Sequence, residues 1–336
     1  MRAALTFLAL AALFASRAGA FDRAEWLGKR GMLDGEAGRL EKAYAKYAAE
    51  AKSPAENVTV PVDSFDDGTV KTSLYAEKAQ YFASEGFVWG AGVILRQVRA
   101  DGSVEAEVRA ANCIVDRETR SGWAEGAARA DYDGKTLVGT NVYFSLAEKY
   151  FKVCGRTMLE AEGIGFSDVA GEDLAPGSRK KPKAGAEDAK KSPGRRARLT
   201  GRRADYDNAA GVILFDGEVT VDDGEYRLGS DLLWVFLDGT NELRRIEASG
   251  HVTLTNAQRS AECVAATYDR RAGRLVMTGD PAAGASAKLR ESGERQSEIA
   301  GSRIVFWLDS EQVEVENSTV TIGIDAKGGE PWKKTL

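Results

Sequence analysis

The residues that could do covalent chemistry are few in this chain. Its 336 residues include one histidine, His251, and three cysteines. One histidine cannot build a histidine-based metal site, and any serine-histidine-aspartate triad would have to use this one. His251 lies in an alternating segment, where we expect it at a solvent-facing strand position. We therefore predict no metal site, no cofactor and no triad catalysis.

The cysteines, Cys113, Cys154 and Cys263, form no C-x-x-C motif. This argues against a redox centre or a zinc knuckle. Cys113 and Cys154 lie in the same half of the chain and could form a disulfide in an oxidising compartment. The alternative is that the cysteines are small apolar residues on buried strand faces.

Paired carboxylates are the remaining candidates for catalysis. Asp66-Asp67 and Asp222-Asp223 could hydrolyse glycosides if the chain were a polysaccharide-active β-solenoid. Both pairs precede a glycine, however, and turn geometry alone favours aspartate there. We therefore predict that the protein is not an enzyme.

Residues 1–20 have the order of a secretory signal peptide. Arg2 precedes a short apolar run, and Ala18-Gly19-Ala20 supplies a small-x-small cleavage site. The run is too short to span a bilayer comfortably, although an uncleaved anchor or a buried helix remains an alternative. We expect the chain to be exported. Its formal net charge of −5 does not suggest binding to nucleic acid.

A short helix is predicted before the main domains, within a helical segment at 21–54. Residues 36–52 are rich in helix formers, and Ser53-Pro54 ends the run. One apolar face recurs at helical spacing and consists of Leu40, Tyr44, Tyr47 and Ala51. We expect this helix to pack over an open end of the next domain. The alternative is that it lies on a membrane surface.

From Val58 onward, apolar and polar residues alternate in short runs that are followed by turn residues such as Asp101-Gly102. Evenly spaced runs of this kind predict an all-β sandwich, barrel or jelly roll. Residues 171–199 interrupt the pattern with prolines, glycines and an excess of Lys and Arg, which predicts a disordered basic linker. This linker is either a solvated tether or a contact for phosphate-bearing ligands or anionic surfaces.

The linker divides the chain into predicted units. These are a β domain at 55–170, a second β domain at 200–326 and a C-terminal tail at 327–336.

The sequence contains a repeated unit of two predicted strands joined by a turn. The first strand ends with a tyrosine, and the second contains a glycine. In two copies the glycine follows the tyrosine by 11 residues, and the copies are 62 residues apart. The copies begin at Ala130-Asp131-Tyr132-Asp133, Ala204-Asp205-Tyr206-Asp207 and Ala266-Thr267-Tyr268-Asp269, and their glycines are Gly139, Gly217 and Gly279. We expect each tyrosine ring to cover the edge of the core, and each glycine to permit a bend where a side chain would clash. Stacked units would then share one core.

In order and spacing, the second half resembles the OstA/LptA-type domain of the lipopolysaccharide transport system. The residues that carry this resemblance are Ala204 to Tyr206, Leu214 to Val219, Ile246 to Val252, Ala266 to Asp269, Met277 to Gly279 and Ile299 to Ile304. The first half is similar to the related LptC-type periplasmic domain, chiefly through Asp67 to Val70 and Leu74 to Tyr81.

The resemblance implies an all-β fold of two OstA-like β jelly-roll modules with stacked antiparallel sheets. It implies a periplasmic carrier or bridge, associated with the cell envelope, that binds lipopolysaccharide or a similar glycolipid. The acyl chains would lie in a β groove during transport to, and assembly in, the outer membrane. Transport-bridge proteins of the same fold would join it end to end.

Several strands are apolar on both faces, which fits strands buried on both sides or strands that line a groove. The candidate lipid-binding residues are Ile213, Phe215, Val219, Leu232, Trp234, Phe236, Ile304 and Phe306. The alternative for these positions is a packed core. The chain would then be a non-catalytic β scaffold that binds envelope proteins through its sheet edges.

Overall fold

The computed structural model describes residues 21–132, 134–162, 196–238, 242–291, 297–307 and 312–322. The predicted signal peptide at 1–20, most of the predicted linker and the predicted tail at 327–336 lie outside these ranges. Within them the chain forms one α-helix, α1 (Arg23–Glu50), and twenty β-strands. None of the described helices is long and apolar enough to cross a membrane.

The first half contains β1 (Ala55–Ser64), β2 (Val70–Phe82), β3 (Phe87–Val98), β4 (Val104–Asp116), β5 (Ser121–Tyr132), β6 (Lys135–Ser145), β7 (Tyr150–Val153) and β8 (Thr157–Glu162). The second half begins with β9 (Arg196–Gly201), β10 (Arg203–Asp207), β11 (Val212–Asp222), β12 (Arg227–Leu237), β13 (Leu243–Thr255) and β14 (Arg259–Asp269). It ends with β15 (Arg274–Thr278), β16 (Ala287–Glu291), β17 (Ser297–Gly301), β18 (Arg303–Trp307), β19 (Val313–Glu316) and β20 (Thr319–Ile322).

All of these strands pair antiparallel, largely in chain order, so the all-β prediction is confirmed. The two halves share hydrogen-bonded strands, because β7 pairs with β10 and β8 pairs with β9. We call this junction the seam. Residues 196–199, which the sequence analysis placed in the linker, instead begin β9. Ala197 and Leu199 are fully buried on one side of that strand, and their alternation is typical of a strand.

The long strands bend in the middle. β11 and β12 change register between Asp216 and Val219, where Gly217 and Glu218 have φ angles of +80° and +51°. β5 and β6 do the same between Ala124 and Ala127. Each bend divides a strand into two arms, as β-bulges commonly do.

The arms form two layers. The helix-side layer contains β7, β10, β15, β18 and β19 with the arms that pair with them. The opposite layer contains β8, β9, β16, β17 and β20 with their paired arms. The interior between the layers is apolar. It continues across the seam, since Phe151 packs against the cores of both halves.

The motif residues lie in the interior, although Tyr268 is buried more deeply than the edge position expected for it. The rings of Tyr206 and Tyr268 are buried in the core. A Cβ atom on Gly139 would lie 2.2 Å from Val153 Cγ1, and one on Gly279 would lie 2.3 Å from the Ala285 carbonyl oxygen. Both distances are far below van der Waals contact, so glycine is required where the chains approach this closely.

α1 begins at Asp22, whose side chain caps the helix by accepting hydrogen bonds from Ala24 N (2.9 Å) and Glu25 N (3.0 Å). The helix has 28 residues and is therefore about 42 Å long. It crosses the outer face of the helix-side layer, where it buries Trp26, Leu40 and Tyr47. The expectation that it packs on the protein is confirmed. The expected location at an open end is wrong, because its apolar side follows an aromatic stripe on this face.

Candidate lipid-binding interior and its helix-covered face

The predicted lining residues fall into two groups on opposite faces of the helix-side layer. The residues that belong to the interior cluster between the layers are Ile213, Phe215, Val219, Ile304 and Phe306. Trp234, Phe236 and the partly buried Leu232 belong to the cluster beneath α1. The prediction that all eight line one groove is therefore wrong for Leu232, Trp234 and Phe236.

Cross-strand pairing explains this division. Directly opposed residues on neighbouring strands share a face of the sheet. Phe215 of β11 lies opposite Leu233 of β12, whereas Leu214 lies opposite Trp234. From Leu232 to Leu237, the interior residues of β12 are thus the odd-numbered ones. Odd- and even-numbered residues in this part of β12 are all apolar, so only the register with β11 could have identified the face that points inward.

The interior is filled by side chains. Phe215, Leu233 and Val235 are fully buried, and one internal cavity at the seam has a volume of only about 30 Å³. Packing becomes looser toward β19, where Phe306 and Val315 are half-buried and Val313 is exposed. In this conformation the space between the layers is a packed core, and an acyl chain would enter only if the layers moved apart.

The cluster beneath α1 is rich in aromatic rings. Trp26 meets Trp234 edge to face at 5.1 Å, and Trp234 stacks on Phe236 at 6.2 Å. Arg23 lies over the Trp234 ring at 4.6 Å, where a cation–π interaction adds to the packing. Farther along the helix, Tyr47 packs on Phe87 at 5.2 Å. The helix thus covers residues from both halves of the chain.

Asp207 of β10 anchors α1 through hydrogen bonds. This fully buried carboxylate accepts from the Trp26 indole at 3.1 Å, the Lys29 ammonium at 3.0 Å and the Ala210 N–H at 3.0 Å. Partial burial alone would lower the pKa of Lys29, but hydrogen bonds to Asp207 and Glu148 raise it above its usual value. The ammonium therefore stays charged beside the buried carboxylate.

Asp205, two residues earlier, joins three elements. It accepts from Tyr150 Oη at 2.6 Å and Lys152 Nζ at 2.8 Å, both in β7 on the other side of the seam. Arg30 of α1 pairs with it at 2.9 Å. Burial, together with the Asp205 carboxylate, raises the pKa of Tyr150 far above its usual range, so its hydroxyl remains a donor. We call Asp205, Asp207 and their cationic partners the seam ion cluster.

The cysteines form no disulfide. All three thiols are free, so the predicted pairing of Cys113 with Cys154 is not found. Cys113 packs in the interior of the first half, whereas Cys154 packs against the cluster beneath the helix. Burial raises the pKa of Cys113 and that of Cys263 to about 12, which fits apolar core residues.

The remaining candidates for chemistry lie at the surface or in turns. His251 is 92% exposed and bonds Asp231 at 2.8 Å. Asp67 Oδ1 accepts from the Thr69 hydroxyl and N–H, which lowers the pKa of Asp67, and Asp223 Oδ1 accepts from Tyr226 N at 2.8 Å. The aspartates thus stabilise turns, as predicted. Within the described ranges, no three His, Cys, Asp or Glu residues group as a metal site would require.

The geometry defines a class of protein: a two-layered antiparallel β protein with an apolar interior. Residues 198–312 match the family described as "LptA/(LptD N-terminal domain) LPS transport protein". The second half of the chain therefore carries a domain of this family, as the sequence motifs predicted. The matched residues make up about a third of the chain. The LptC-like character of the first half stays a prediction.

Among solved structures, one that matches is LptH from Pseudomonas aeruginosa, described as the LptA homologous periplasmic component of the conserved lipopolysaccharide transport device. The match has 16% sequence identity and a TM-score of 0.33, and it covers 38% of this chain and 94% of LptH. This likeness is too distant to carry an argument. No curated protein matches the chain significantly.

Proposed function

We propose that this protein is a periplasmic carrier or bridge of a lipopolysaccharide transport system. In this proposal it binds the acyl chains of lipopolysaccharide between its two layers for delivery to, and assembly in, the outer membrane. The observation that carries the proposal is the family match over residues 198–312, which falls on the half with the larger apolar interior.

The interior supplies the driving force for binding. Apolar surface removed from water contributes about 25 cal/mol per Å², so an acyl chain gains free energy in proportion to the area it buries. No catalyst is needed, because transfer along a row of such interiors requires only graded affinities. The half-buried Phe306 and Val315 extend this apolar interior toward the β19 end of the sheet.

The ends of the sheet support assembly with proteins of the same fold. Among the described strands, β1 pairs only with β2, β19 only with β18, and β20 only with β17. Open strand edges can accept a strand from another chain. Pro61 lacks an N–H and limits such pairing at one position of β1. We infer that end-to-end contacts with other bridge proteins use these edges.

The test is site-specific photo-crosslinking in cells, with a photoreactive residue at Phe215 or Phe236. These phenylalanines are both buried on neighbouring strands, but Phe215 faces the interior and Phe236 faces α1. Phe236 is therefore the matched control. We expect a lipopolysaccharide adduct at Phe215 and none at Phe236. Absence of an adduct at Phe215 in correctly folded protein would refute lipid binding in the interior.

The packed interior favours a second candidate, a non-catalytic scaffold that binds envelope proteins through its sheet edges. In that case the layers never separate, and neither phenylalanine forms a lipid adduct. Crosslinkers at exposed edge positions such as Thr59 in β1 would still capture a protein. The two candidates thus differ in the product formed at Phe215.

A further inference from the structure

The seam contains a cavity that neither half would have alone. Its volume is about 30 Å³, roughly the share of one water molecule in the liquid. Both layers and both halves contribute to its walls, which consist of Ala130, Tyr132, Lys135, Leu137, Phe151, Leu159, Ala204, Tyr206 and Ile213. Most of these side chains are apolar.

A second cavity of about 30 Å³ lies next to the first and shares Tyr132, Phe151 and Tyr206 with it. Its other walls are more polar and include Glu105, Lys149 and Asn208. The three shared rings are thus a partition between an apolar inner space and a polar outer one. This change from apolar to polar surroundings suits an amphipathic molecule, whose chain would lie in the inner cavity and whose headgroup would lie in water.

Asn208 forms hydrogen bonds with both tyrosines of the partition. Asn208 Nδ2 donates to Tyr132 Oη at 2.9 Å, and Tyr206 Oη donates to Asn208 Oδ1 at 3.2 Å. The tyrosine rings lie 6.3 Å apart. Tyr132 ends an arm of the opposite layer, whereas Tyr206 and Asn208 belong to β10 and the turn after it. The two hydrogen bonds therefore hold the layers together at the strand ends, away from the bends that join them.

The walls of the seam differ in their freedom to move. The helix-side wall is held by the seam ion cluster, where Asp205 binds both α1 and β7. On the other wall, Tyr132 is only partly buried and lies at the end of β5, and the neighbouring Asp131 bonds Arg129 and Thr136 of its own layer rather than the helix-side layer. The movement that opens the partition is accordingly a displacement of Tyr132 away from a fixed Tyr206.

We propose that the seam is a gated entry site for one acyl chain of an anionic lipid, with Tyr132, Asn208 and Tyr206 as its latch. This inference rests on the proposed function and assigns its point of entry. The inner cavity matches an alkyl chain in its apolar character, and its wall residue Phe151 also packs against the cores of both halves. The layers must move apart at the seam to admit the chain. The exposed Lys149 at the outer cavity complements a negatively charged headgroup.

Stopped-flow binding of a dansyl-labelled undecanoic acid to the full chain tests the latch. We expect Asn208→Ala to accelerate association and dissociation alike, each by roughly tenfold, because two ordinary hydrogen bonds are lost from the closed state. The dissociation constant should change little, since the latch affects passage in both directions. Asn256→Ala is the matched control. Asn256 also follows a strand and caps a turn, but far from the seam, and its loss should leave both rates unchanged.

Tyr132→Phe provides a second variant that keeps the ring and removes the hydroxyl. It should accelerate exchange by a smaller factor, and combining it with Asn208→Ala should add little, because both changes break the same latch. The inference is overturned if the exchange rates of Asn208→Ala and Tyr132→Phe equal those of the unaltered chain. It is also overturned if the unaltered chain and both variants fail to bind the probe.

The outcomes separate this inference from the proposed function. If Phe215 crosslinks to lipopolysaccharide while Asn208→Ala leaves the exchange rates unchanged, the latch alone is refuted. If Asn208→Ala accelerates probe exchange while Phe215 yields no lipopolysaccharide adduct, the seam admits acyl chains and the transport proposal is refuted.

Discussion

Replacement of Asp207 by asparagine should detach α1 from the sheet. The carboxylate is fully buried and accepts from the Trp26 indole and the Lys29 ammonium, so the substitution removes the charge that both donors face. An asparagine can still accept a hydrogen bond through its carbonyl oxygen. Its NH₂ group, however, is a donor and would face the Trp26 indole or the Lys29 ammonium, which are donors too.

The magnitude follows from burial. Breaking a buried ion pair by altering one partner costs about 3–5 kcal/mol. Lys29 retains 27% of its side-chain exposure and also pairs with Glu148 at 3.3 Å, so its charge can turn toward water. We therefore expect Asp207→Asn to lower the free energy of unfolding by about 2–4 kcal/mol. Asp231→Asn is the control, because Asp231 is mostly exposed and should cost less than about 1 kcal/mol.

Urea denaturation followed by tryptophan fluorescence measures this loss, since Trp26 and Trp234 separate when the helix leaves. Amide hydrogen exchange then shows which strands lose stability. Amides of β7 and β10 should exchange faster in Asp207→Asn, whereas those of β16 and β17 should be unaffected. If Asp207→Asn costs no more than Asp231→Asn, the ion cluster does not hold the helix and the reasoning is wrong.

Two further predictions concern titration and thiol reactivity. A hydrogen bond from Arg39 lowers the pKa of Glu36 below its ordinary value of 4.5, so its stabilising contribution is present above that value and is lost as the pH falls through the lowered pKa. Acid unfolding monitored by circular dichroism should therefore show a weaker pH dependence below about pH 5 in Glu36→Gln than in the unaltered chain. Burial raises the pKa of Cys113 to about 12, so a disulfide reagent should label it only after unfolding. Rapid labelling of Cys113 in the native protein would contradict its position in the core.

The sequence was sufficient to predict the β architecture, because period-two patterning and glycine-containing turns depend on local rules. The sequence predicted a helical segment at 21–54, but the position in it where α1 begins was not predictable from helix formers alone. Its first half contains glycines, each of which costs about 1 kcal/mol relative to alanine in a helix interior. Gly28, Gly31 and Gly35 have no neighbouring atoms near a hypothetical Cβ, so packing does not require them. The Asp22 cap and the docking of Trp26 supply the stabilisation that local propensity lacks.

The inner face of β12 was not predictable for a different reason. Leu232 to Leu237 is apolar at every position, so its pattern gives no parity. The fold assigns the odd residues to the interior and the even residues to α1, and the helix is what allows both faces to be buried. The continuous apolar run of β12 therefore reflects a covered outer face rather than a lipid groove.

In the repeated Ala-x-Tyr unit, the residues that face the interior and those that face outward have different roles. Alternate residues of a strand face opposite sides, so Ala204 and Tyr206 reach the interior while Asp205 and Asp207 face α1. In the later copy, Thr267 takes the place of Asp205 and supplies no carboxylate for a cation of the helix. The inward residues therefore build the common core. The outward aspartates differ in their partners: Asp205 and Asp207 bind the helix, whereas Asp131 of the first copy pairs with Arg129 of its own strand.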